Sequence, residues 1–363
     1  MNTPTQIAAE LSEMVNHTRV FLSMPYIPGM TPVCLERPEI HAFEDVHSGL
    51  ERRDGIFRLN EAALSPLDHG NLYGDAVFEG IRIDNRRILL FREHIDRWFK
   101  SAQKVGLEFP YSREEICQII VTLCREAMGP DNQSAYIRPV LTRGIGDLAV
   151  APFKCAAPSL YIVCSKVLLY PKERYEYGID VSVARMMRRN DPHHLDPNVK
   201  TNNYLNNILA LLETRPKGTF ETIMLTRDGY VAEATADNIF VAEMIGGKPV
   251  LKVPAARYAL IGLTRNFVMD SARRLGFEII EDDAMLISDF IGPTREVFIT
   301  GTACGMMPVT HIDNHETAGP GSRPLMAQIQ AEMRRRSTDD SISFCLDASE
   351  EELKSYLEKP HCF

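Results

Sequence analysis

A lysine lies near the start of a predicted helix in the stretch 198–210, which reads NVKTNNYLNNILA. Pro197 prevents that helix from starting much earlier, so Lys200 sits where a loop becomes a helix. Apolar residues then recur at helical spacing, namely Leu205, Ile208, Leu209 and Leu212. An amine held there could form a Schiff base with a carbonyl, which requires a neutral amine, whereas an ordinary lysine has a pKa of about 10.4. The alternative is a solvated lysine near a helix N-terminus, where its charge is mildly unfavourable.

Three further segments carry residue types that could serve such a lysine. Residues 73–82 read YGDAVFEGIR, residues 229–240 read GYVAEATADNIF, and residues 300–303 read TGTA. With the lysine segment, in this order and at these separations, they resemble the class IV, branched-chain-aminotransferase-like family of pyridoxal-phosphate enzymes. The resemblance covers roughly residues 56 to 312 of the 363.

This resemblance implies the two-domain α+β fold of type IV pyridoxal-phosphate enzymes, with a smaller N-terminal α+β domain and a larger β-rich C-terminal domain. An apolar content of 45% is ample for two cores. We expect an N-terminal extension over residues 1–55, the small domain over 56–168, a linker over 169–177, and the large cofactor-binding domain with a divergent tail over 178–363.

Hydrophobic periodicity and turn residues predict the elements that position these segments. Helices are expected over about 93–105, from Ser112 with its capping box to Glu115, and from Thr264 to the stop at Gly276. Strands are expected at 88–91, 135–141, 160–167, 179–184, 222–225 and 296–299, and around 240 and 250, with a hairpin turn at Asp228-Gly229. In the tail, 328–336 and 348–357 are predicted helices.

The resemblance also assigns roles on the cofactor side. Lys200 matches the lysine that binds pyridoxal phosphate and moves a proton during transamination. Glu233 matches the carboxylate that faces the pyridine nitrogen, although alone it would be an ordinary strand glutamate after a hairpin. Tyr204 matches a phenol near the ring oxygen of the cofactor.

A phosphate site is expected at the start of the third helix. The helix opening at Leu263 and Thr264 offers free N–H groups and the positive end of a dipole, which suits an anion. By resemblance, Arg97 is the phosphate-binding arginine and the Thr302 hydroxyl completes the cradle. The alternative for Arg97 is a solvated helix arginine.

The substrate side rests on resemblance too. Phe78, Tyr136 and Arg138 match residues that line the pocket of branched-chain aminotransferases, where the arginine accepts the distal carboxylate of glutamate. The backbone at Thr302 and Ala303 matches the segment that binds the α-carboxylate. A pocket for both an apolar and a charged side chain explains an arginine in an apolar wall. Ordinary alternation along an edge strand is the alternative for Tyr136 and Arg138.

The function predicted from the resemblance is a pyridoxal-phosphate-dependent transaminase that exchanges an aliphatic, branched-chain-like L-amino acid with 2-oxoglutarate. D-amino-acid transaminase and aminodeoxychorismate lyase are alternatives, although the run Tyr136–Pro139 favours the branched-chain group. A non-catalytic binding or regulatory descendant is an alternative of another class. Three departures from the family pattern are present. Residues 301–307 read GTACGMM where a glutamate is usual, and 234–237 read ATAD in place of a glycine-rich run. The third is the extra N-terminal segment with the divergent C-terminal tail, which indicates a specialised member.

Composition excludes several other classes. A net charge of −9 without a basic run disfavours a nucleic-acid partner. The start lacks a signal-peptide pattern and no stretch approaches a membrane span, so we expect a cytoplasmic protein with small-molecule partners. Proteins of this resemblance are generally homodimers or larger. The eight cysteines lack metal-site spacing and are expected to be free thiols. His193 and His194 predict no metal site, and 144–149, which fits a dinucleotide fingerprint, is expected to be a loop because Pro152 follows.

Overall fold

The computed structural model describes residues 3–166 and 170–361. Its contacts divide the chain into two units. Among the described residues, the first unit contains 3–166, 200–202 and 340–361, and the second contains 170–199 and 203–339. These boundaries differ from the expected ones in two places. Residues 340–361 belong to the first unit, and so do residues 200–202, which include the lysine.

The first unit is built on an antiparallel sheet with helices α1 to α4. Its strands are β1 (Arg19–Pro25), β2 (His41–Glu44), β3 (Glu51–Arg58), β4 (Ala76–Phe78), β5 (Ile81–Asp84), β6 (Arg87–Leu89), β7 (Ala135–Thr142) and β8 (Ser159–Ser165). Its helices are α1 (Pro4–His17), α2 (His69–Tyr73), α3 (Phe91–Lys104) and α4 (Arg113–Met128). The strand order runs β6-β5-β7-β8-β1-β3-β2, and β4 also pairs with β7.

The expected N-terminal extension is partly built into this sheet. Strand β1 lies between β3 and β8, and its residues Val20 and Leu22 are buried in a cluster with Phe57. Helix α1 precedes it, and its residues are exposed or half-buried. The segment before residue 56 therefore supplies core strands, whereas its first helix contributes little to the core.

The second unit contains a mixed sheet with the strand order β11-β10-β9-β16-β15-β12-β13-β14, in which β17 pairs with β16. Its strands are β9 (Ile179–Arg188), β10 (Glu221–Leu225), β11 (Val231–Ala234), β12 (Asn238–Ile245), β13 (Lys248–Pro254), β14 (Glu278–Asp282), β15 (Glu296–Gly301), β16 (Gly305–Ile312) and β17 (His315–Glu316). Its helices are α5 (Lys172–Tyr177), α6 (Leu205–Thr214), α7 (Leu263–Arg274) and α8 (Pro324–Arg336). Two buried clusters, one including Ile179 and Val297 and one including Phe240 and Phe298, form its core.

The tail returns to the first unit through β18 (Ser343–Cys345) and α9 (Glu350–Glu358). Strand β18 pairs antiparallel with β6, and Leu346, Leu353 and Tyr356 are buried. The predicted helix over 348–357 forms, but in the first unit, because its apolar side chains are buried there.

Most predicted elements form, with three differences. The expected linker over 169–177 contains the short helix α5, and residue 169 lies outside the described residues, as does the end of the strand expected over 160–167. Phe91 begins α3 instead of ending a strand. Helix α6 forms as the spacing predicts, but its apolar positions Leu205, Ile208, Leu209 and Leu212 are exposed, whereas Asn207, Ala210 and Thr214 are buried.

The cysteines lie mostly inside the two units. Those at 34, 117, 124, 164 and 304 are buried, those at 155 and 345 are partly exposed, and all seven described are free thiols. Burial raises the pKa of the Cys117 thiol to about 12 and raises those of Cys124 and Cys304 well above the ordinary value. None of the helices in the described part of the chain has the length and apolar character of a membrane span.

Candidate active site

Arg97 is held by a buried carboxylate in the first unit. It projects from α3, and its Nε and Nη2 groups donate to the two oxygens of Glu79 at 2.7 and 2.8 Å. His94, one turn earlier on α3, contacts Glu79 Oε2 through Nδ1 at 2.8 Å. Burial would raise the pKa of Glu79, but the charge and hydrogen bonds of Arg97, helped by His94, hold that pKa well below its usual range. Arg97 is therefore fixed in direction by a charged partner.

The backbone of Lys200 is fixed beside β4. The N–H of Phe78 donates to the Lys200 carbonyl at 2.9 Å, and the N–H of Asn202 donates to the Ala76 carbonyl at 3.0 Å. Thr201 forms an isolated antiparallel bridge with Val77. The half-buried lysine therefore lies on a short, strand-like segment that β4 holds in register.

Phe78 brings the substrate-side residues and the lysine together. Its ring lies 4.7 Å from Lys200 Nζ and 4.4 Å from the guanidinium carbon of Arg138. Tyr136, on the same strand as Arg138, lies so close to Gly80 that a Cβ there would stand 1.9 Å from the phenol oxygen. Only glycine fits at that position. One apolar ring thus has an amine and a guanidinium next to it, with a phenol on the neighbouring strand.

Glu233 is the corresponding fixed carboxylate of the second unit. It is buried on β11 and accepts a hydrogen bond from Arg189 Nε at 2.6 Å. Asn238 Nδ2 and the backbone N–H of Leu260 donate to its other oxygen at 3.1 and 3.2 Å. Three donors therefore define the place of this negative charge.

The start of α7 lies close to this carboxylate. Its N-cap is Gly262, where a Cβ would stand 2.1 Å from Asn238 Oδ1, and no side chain of the described residues caps the helix. Leu263 and Thr264 form its buried first turn, in which backbone N–H groups have no partner within the helix. Asn238, which binds Glu233, thus also contacts the turn that starts α7.

Thr302 and Ala303 lie half-buried in the turn between β15 and β16. Thr300, just before this turn, pairs across the sheet with Asn238, and its buried hydroxyl has no hydrogen-bond partner among the described residues. In the same turn, Cys304 Sγ contacts Asp237 Oδ1 at 3.3 Å. Two of the departures from the family pattern, those at 237 and at 304, are therefore in contact with each other.

Tyr204 is the N-cap residue of α6 and is half-buried. The first turn of this helix is tied to β9 and to the turn after Glu233. Asn206 Nδ2 donates to the Arg188 carbonyl, and Asn207 Nδ2 donates to the Thr235 carbonyl, both at 2.5 Å. Tyr204 thus begins a helix that is attached next to the Glu233 strand.

The predicted site residues therefore fall into two groups. The first unit contains Phe78, Arg97, Tyr136, Arg138 and Lys200, and the second contains Glu233, Leu263, Thr264, Thr302, Ala303 and Tyr204. Sequence reasoning missed Glu79, His94 and Arg189 as partners of these residues. Glu79 stands inside the quoted motif at 73–82, so its motif position was an available signal, whereas nothing local marked Arg189.

The comparisons with known proteins decide the family. The model described as Amino-transferase class IV matches residues 76–312. The chain belongs to this family. The putative branched-chain-amino-acid aminotransferase of Methanocaldococcus jannaschii is 37% identical over 255 residues, which cover 70% of this chain and 84% of that protein. The D-alanine aminotransferase of Listeria monocytogenes is 28% identical over 74% of this chain and 89% of its own length.

A solved structure agrees with this assignment. The branched-chain amino acid aminotransferase of Thermobaculum terrenum, in its pyridoxal-phosphate-bound holo-form, is similar to this chain at a TM-score of 0.67 and 25% identity, over 78% of this chain and 91% of that one. The expected α+β fold of type IV is confirmed, and so is the expected class of enzyme, a pyridoxal-phosphate-dependent aminotransferase. The family supports catalysis over the non-catalytic alternative.

Proposed function

We propose that this class IV aminotransferase exchanges the amino group of an aliphatic, branched-chain-like L-amino acid with 2-oxoglutarate through a Schiff base at Lys200. The observation that carries the proposal is the Phe78 ring, which lies next to the Lys200 amine and the Arg138 guanidinium. An apolar surface suits an aliphatic side chain, and a guanidinium suits the distal carboxylate of glutamate or 2-oxoglutarate. Both substrates could then present their α-carbon to the same amine.

The residues of the second unit fit the family's cofactor. The uncapped first turn of α7 at Leu263 and Thr264, next to glycine at the N-cap, offers N–H donors to a phosphate. Glu233, held by Arg189, offers a fixed negative charge that suits a protonated pyridine nitrogen. Among the described residues, the buried Thr300 hydroxyl, opposite Asn238 in the sheet, has no hydrogen-bond partner. A phosphate, a ring nitrogen and polar oxygens would each find a complementary group.

Each residue predicted on the cofactor side then has a proposed role. When bound, pyridoxal phosphate withdraws electrons from the carbon that loses its proton. Lys200 Nζ would hold the cofactor at its carbonyl carbon, with loss of water, and once the substrate amine has displaced it the free lysine amine would carry that proton. In the first unit, Arg97, oriented by Glu79, is the proposed ligand of the phosphate. In the second unit, the start of α7 and the Thr302 hydroxyl offer donors to a phosphate. Tyr204 orients the ring through its phenol.

On the substrate side, Phe78 and Tyr136 form the wall for the side chain, and Arg138 binds the distal carboxylate. The backbone of Thr302 and Ala303 binds the α-carboxylate. The unusual residues of this turn, Cys304 and Gly305, lie directly after these two, so they are where we expect this chain to differ from its relatives in substrate preference.

A trapping experiment tests the lysine. The purified chain is incubated with pyridoxal phosphate, its visible absorbance is recorded, the adduct is reduced with borohydride, and the labelled peptide is located by mass spectrometry. We expect a visible band and a label on Lys200, both lost in Lys200→Ala and both kept in Lys100→Ala, a matched change of an exposed lysine in the same unit. A label on another lysine, or no band in the wild type, would refute the proposal.

Half-reactions with separate donors then test the substrate. L-leucine, L-glutamate and D-alanine are added one at a time, and the loss of the visible band is followed. We expect both L-amino acids to react, and Arg138→Met to weaken glutamate by about 10- to 100-fold while leucine changes little, because only glutamate loses a charged hydrogen bond. Faster reaction with D-alanine would favour a D-amino-acid transaminase instead, a candidate kept by the similarity to the Listeria enzyme.

We also propose that the chain forms a homodimer or a larger homo-oligomer. Helix α6 exposes a row of large apolar side chains, Leu205, Ile208, Leu209 and Leu212, of which Leu205 is 67% exposed. Monomers rarely leave such a row in water, and an identical copy is a partner that is always present. An active monomer in analytical ultracentrifugation would contradict this. The free thiols support a reducing compartment, which agrees with a cytoplasmic location.

A further inference from the structure

We infer that the C-terminal segment 340–361 is a positioning element for Arg97 and that it controls how tightly the protein binds the phosphate of its cofactor. The inference rests on the proposed phosphate-binding role of Arg97. No motif marks this segment in the sequence, and the family model ends before it, at residue 312. Several of its contacts nevertheless lie at the beginning of α3, the helix that carries Arg97.

The segment fixes the residue that starts this helix. Leu90, the N-cap of α3, adopts a left-handed conformation with φ of 51°, which is strained for a residue with a branched side chain. Its N–H donates to the Ile342 carbonyl at 2.9 Å. A strained residue keeps its conformation only where its surroundings hold it, and here the tail supplies one of the holding bonds.

Arg92, in the first turn of α3, is bound at two places by the tail. The guanidinium is fully buried and donates to the Ser341 carbonyl at 2.6 Å and to the Tyr356 carbonyl at 2.9 Å. The Tyr356 ring also lies 4.4 Å from its central carbon. A buried guanidinium with fixed acceptors is rigid, so the tail sets the position of this turn.

Apolar contacts and a histidine–carboxylate contact extend this attachment along the helix. The ring of Phe344 packs 6.3 Å from Phe91, and that of Tyr356 packs 5.4 Å from Phe344. Further along the helix, His361 Nε2 lies 2.8 Å from Asp96 Oδ2, on the residue directly before Arg97. The tail therefore contacts α3 from its N-cap to the position before Arg97.

Arg97 itself projects in another direction. Arg92 and Arg97 are five residues apart, which at 3.6 residues per turn is about 140° around the helix. The tail therefore grips one face of α3 while Arg97 leaves from another face toward Glu79. Because a helix of 14 residues moves as a rigid element, a shift of the gripped face would displace the Arg97 guanidinium.

The chain provides a matched control on α4. Arg125 also donates to two carbonyls of the tail, those of Leu346 and Ala348, but α4 carries none of the predicted site residues. Arg92→Met and Arg125→Met thus both remove hydrogen bonds to carbonyls of the same segment. Only Arg92→Met removes hydrogen bonds between the tail and the helix of Arg97. A difference in cofactor affinity between the two variants therefore separates the positioning of Arg97 from the general attachment of the tail.

The experiment measures the dissociation constants of pyridoxal phosphate and of pyridoxal, which lacks the phosphate, by titration of the visible band in the full-length chain. Denaturant unfolding is recorded beside them. We expect Arg92→Met to weaken pyridoxal phosphate roughly tenfold, as for other residues that orient a ligand-binding side chain, and Arg125→Met to change it less than about twofold. Pyridoxal should bind equally well to both.

A double-mutant cycle sharpens the test. In an Arg97→Gln background, Arg92→Met should cause no further loss of phosphate-dependent affinity, because the residue it positions is already gone. Full additivity would overturn the inference, and so would equal losses in Arg92→Met and Arg125→Met or equal losses for the two ligands. If Arg92→Met does not fold, two other variants make the same comparison. His361→Ala removes a contact with α3, and Lys354→Ala removes a contact with Glu114 on α4. We expect the affinity for pyridoxal phosphate to fall about two- to threefold in His361→Ala alone.

The wild-type titration separates this inference from the proposed function. A wild-type chain without a Lys200-dependent visible band would overturn both. A wild-type chain with the band whose two arginine variants behave alike would overturn only the role of the tail.

Discussion

Two buried glutamates, one in each unit, have pKa values shifted in opposite directions. Glu79 faces the Arg97 guanidinium and the His94 imidazole, and the charge and hydrogen bonds of Arg97, helped by His94, hold its pKa well below the usual range. Glu221 accepts hydrogen bonds from the N–H of Thr222 and from the N–H and hydroxyl of Thr235. Burial, together with the negative charge of Asp237, nevertheless raises its pKa to about 7. Burial alone favours the neutral acid at both places, so the sign of the neighbouring charge decides between them.

The two units should therefore respond to pH in opposite directions. The folded pKa of Glu79 is below its unfolded value of about 4.5, so its stabilisation is present above that pH and is lost on acidification. The folded pKa of Glu221 is above its unfolded value, so its stabilisation is complete below pH 4.5 and is lost as the pH rises through about 7. Acid would weaken the first unit, and mild base the second.

The largest effect is expected from removing the first carboxylate. Glu79→Ala removes the buried carboxylate that accepts two hydrogen bonds from the Arg97 guanidinium, which should lower the free energy of unfolding by about 3–5 kcal/mol. Glu79→Gln keeps an acceptor and the volume and should cost less. Urea unfolding at pH 7 measures both. A loss below about 1 kcal/mol in Glu79→Ala would show that burying Arg97 and His94 does not require the Glu79 carboxylate.

A smaller effect, confined to one pH range, is expected in the second unit. Between pH 5 and pH 8 the wild type should lose about 2–3 kcal/mol through Glu221, and Glu221→Gln should remove this loss because it cannot ionise. Asp237→Asn should also reduce it, since the like charge is gone. Unfolding curves at several pH values test this. Parallel pH profiles of wild type and Glu221→Gln would refute the assignment.

The smallest effect is expected at Arg189. Arg189→Met removes the charged donor of Glu233, but Asn238 and the Leu260 N–H remain, so the free energy of unfolding should fall by only about 1–2 kcal/mol. Arg188→Met is the control, because Arg188 donates only to nearby carbonyls of its own strand in the described structure. If the free energy of unfolding fell as much as in Glu79→Ala, the neutral donors Asn238 and Leu260 N–H would contribute little to stabilising Glu233.

Local sequence predicted the parts of the fold that depend on neighbours along the chain. The capping box of Ser112 and Glu115 starts α4, and the turn at Asp228-Gly229 joins β10 and β11. The placement of the tail was not predictable in this way. The bond between Arg92 and the Tyr356 carbonyl, for example, joins residues 264 positions apart and leaves no periodic signal. Spacing predicted α6 as well but not which face is buried, since its apolar row is exposed.

The candidate site shows the same limit. Motif resemblance pointed to Lys200, Arg97 and Glu233, whose side chains the structure places in hydrogen-bonded or ring contacts. Their partners Glu79 and Arg189 come from elsewhere in the chain, 18 and 44 positions away. Single residues in a sequence carry no mark of the charge that they will meet in space. The roles assigned to the site residues stay predictions until the trapping and titration experiments are done.

The buried cysteines allow the opening of each unit to be measured separately by the rate of thiol labelling. Cys117 and Cys124 lie in the first unit and Cys304 in the second, and a shielded, protonated thiol reacts with an alkylating reagent only when its surroundings open. The rate at which each cysteine is labelled, read by mass spectrometry, would therefore report the opening of its own unit. When the protein is first exposed to acid and then alkylated at a fixed pH, Cys117 should be modified before Cys304. When it is first exposed to mild base and then alkylated at the same pH, Cys304 should be modified before Cys117.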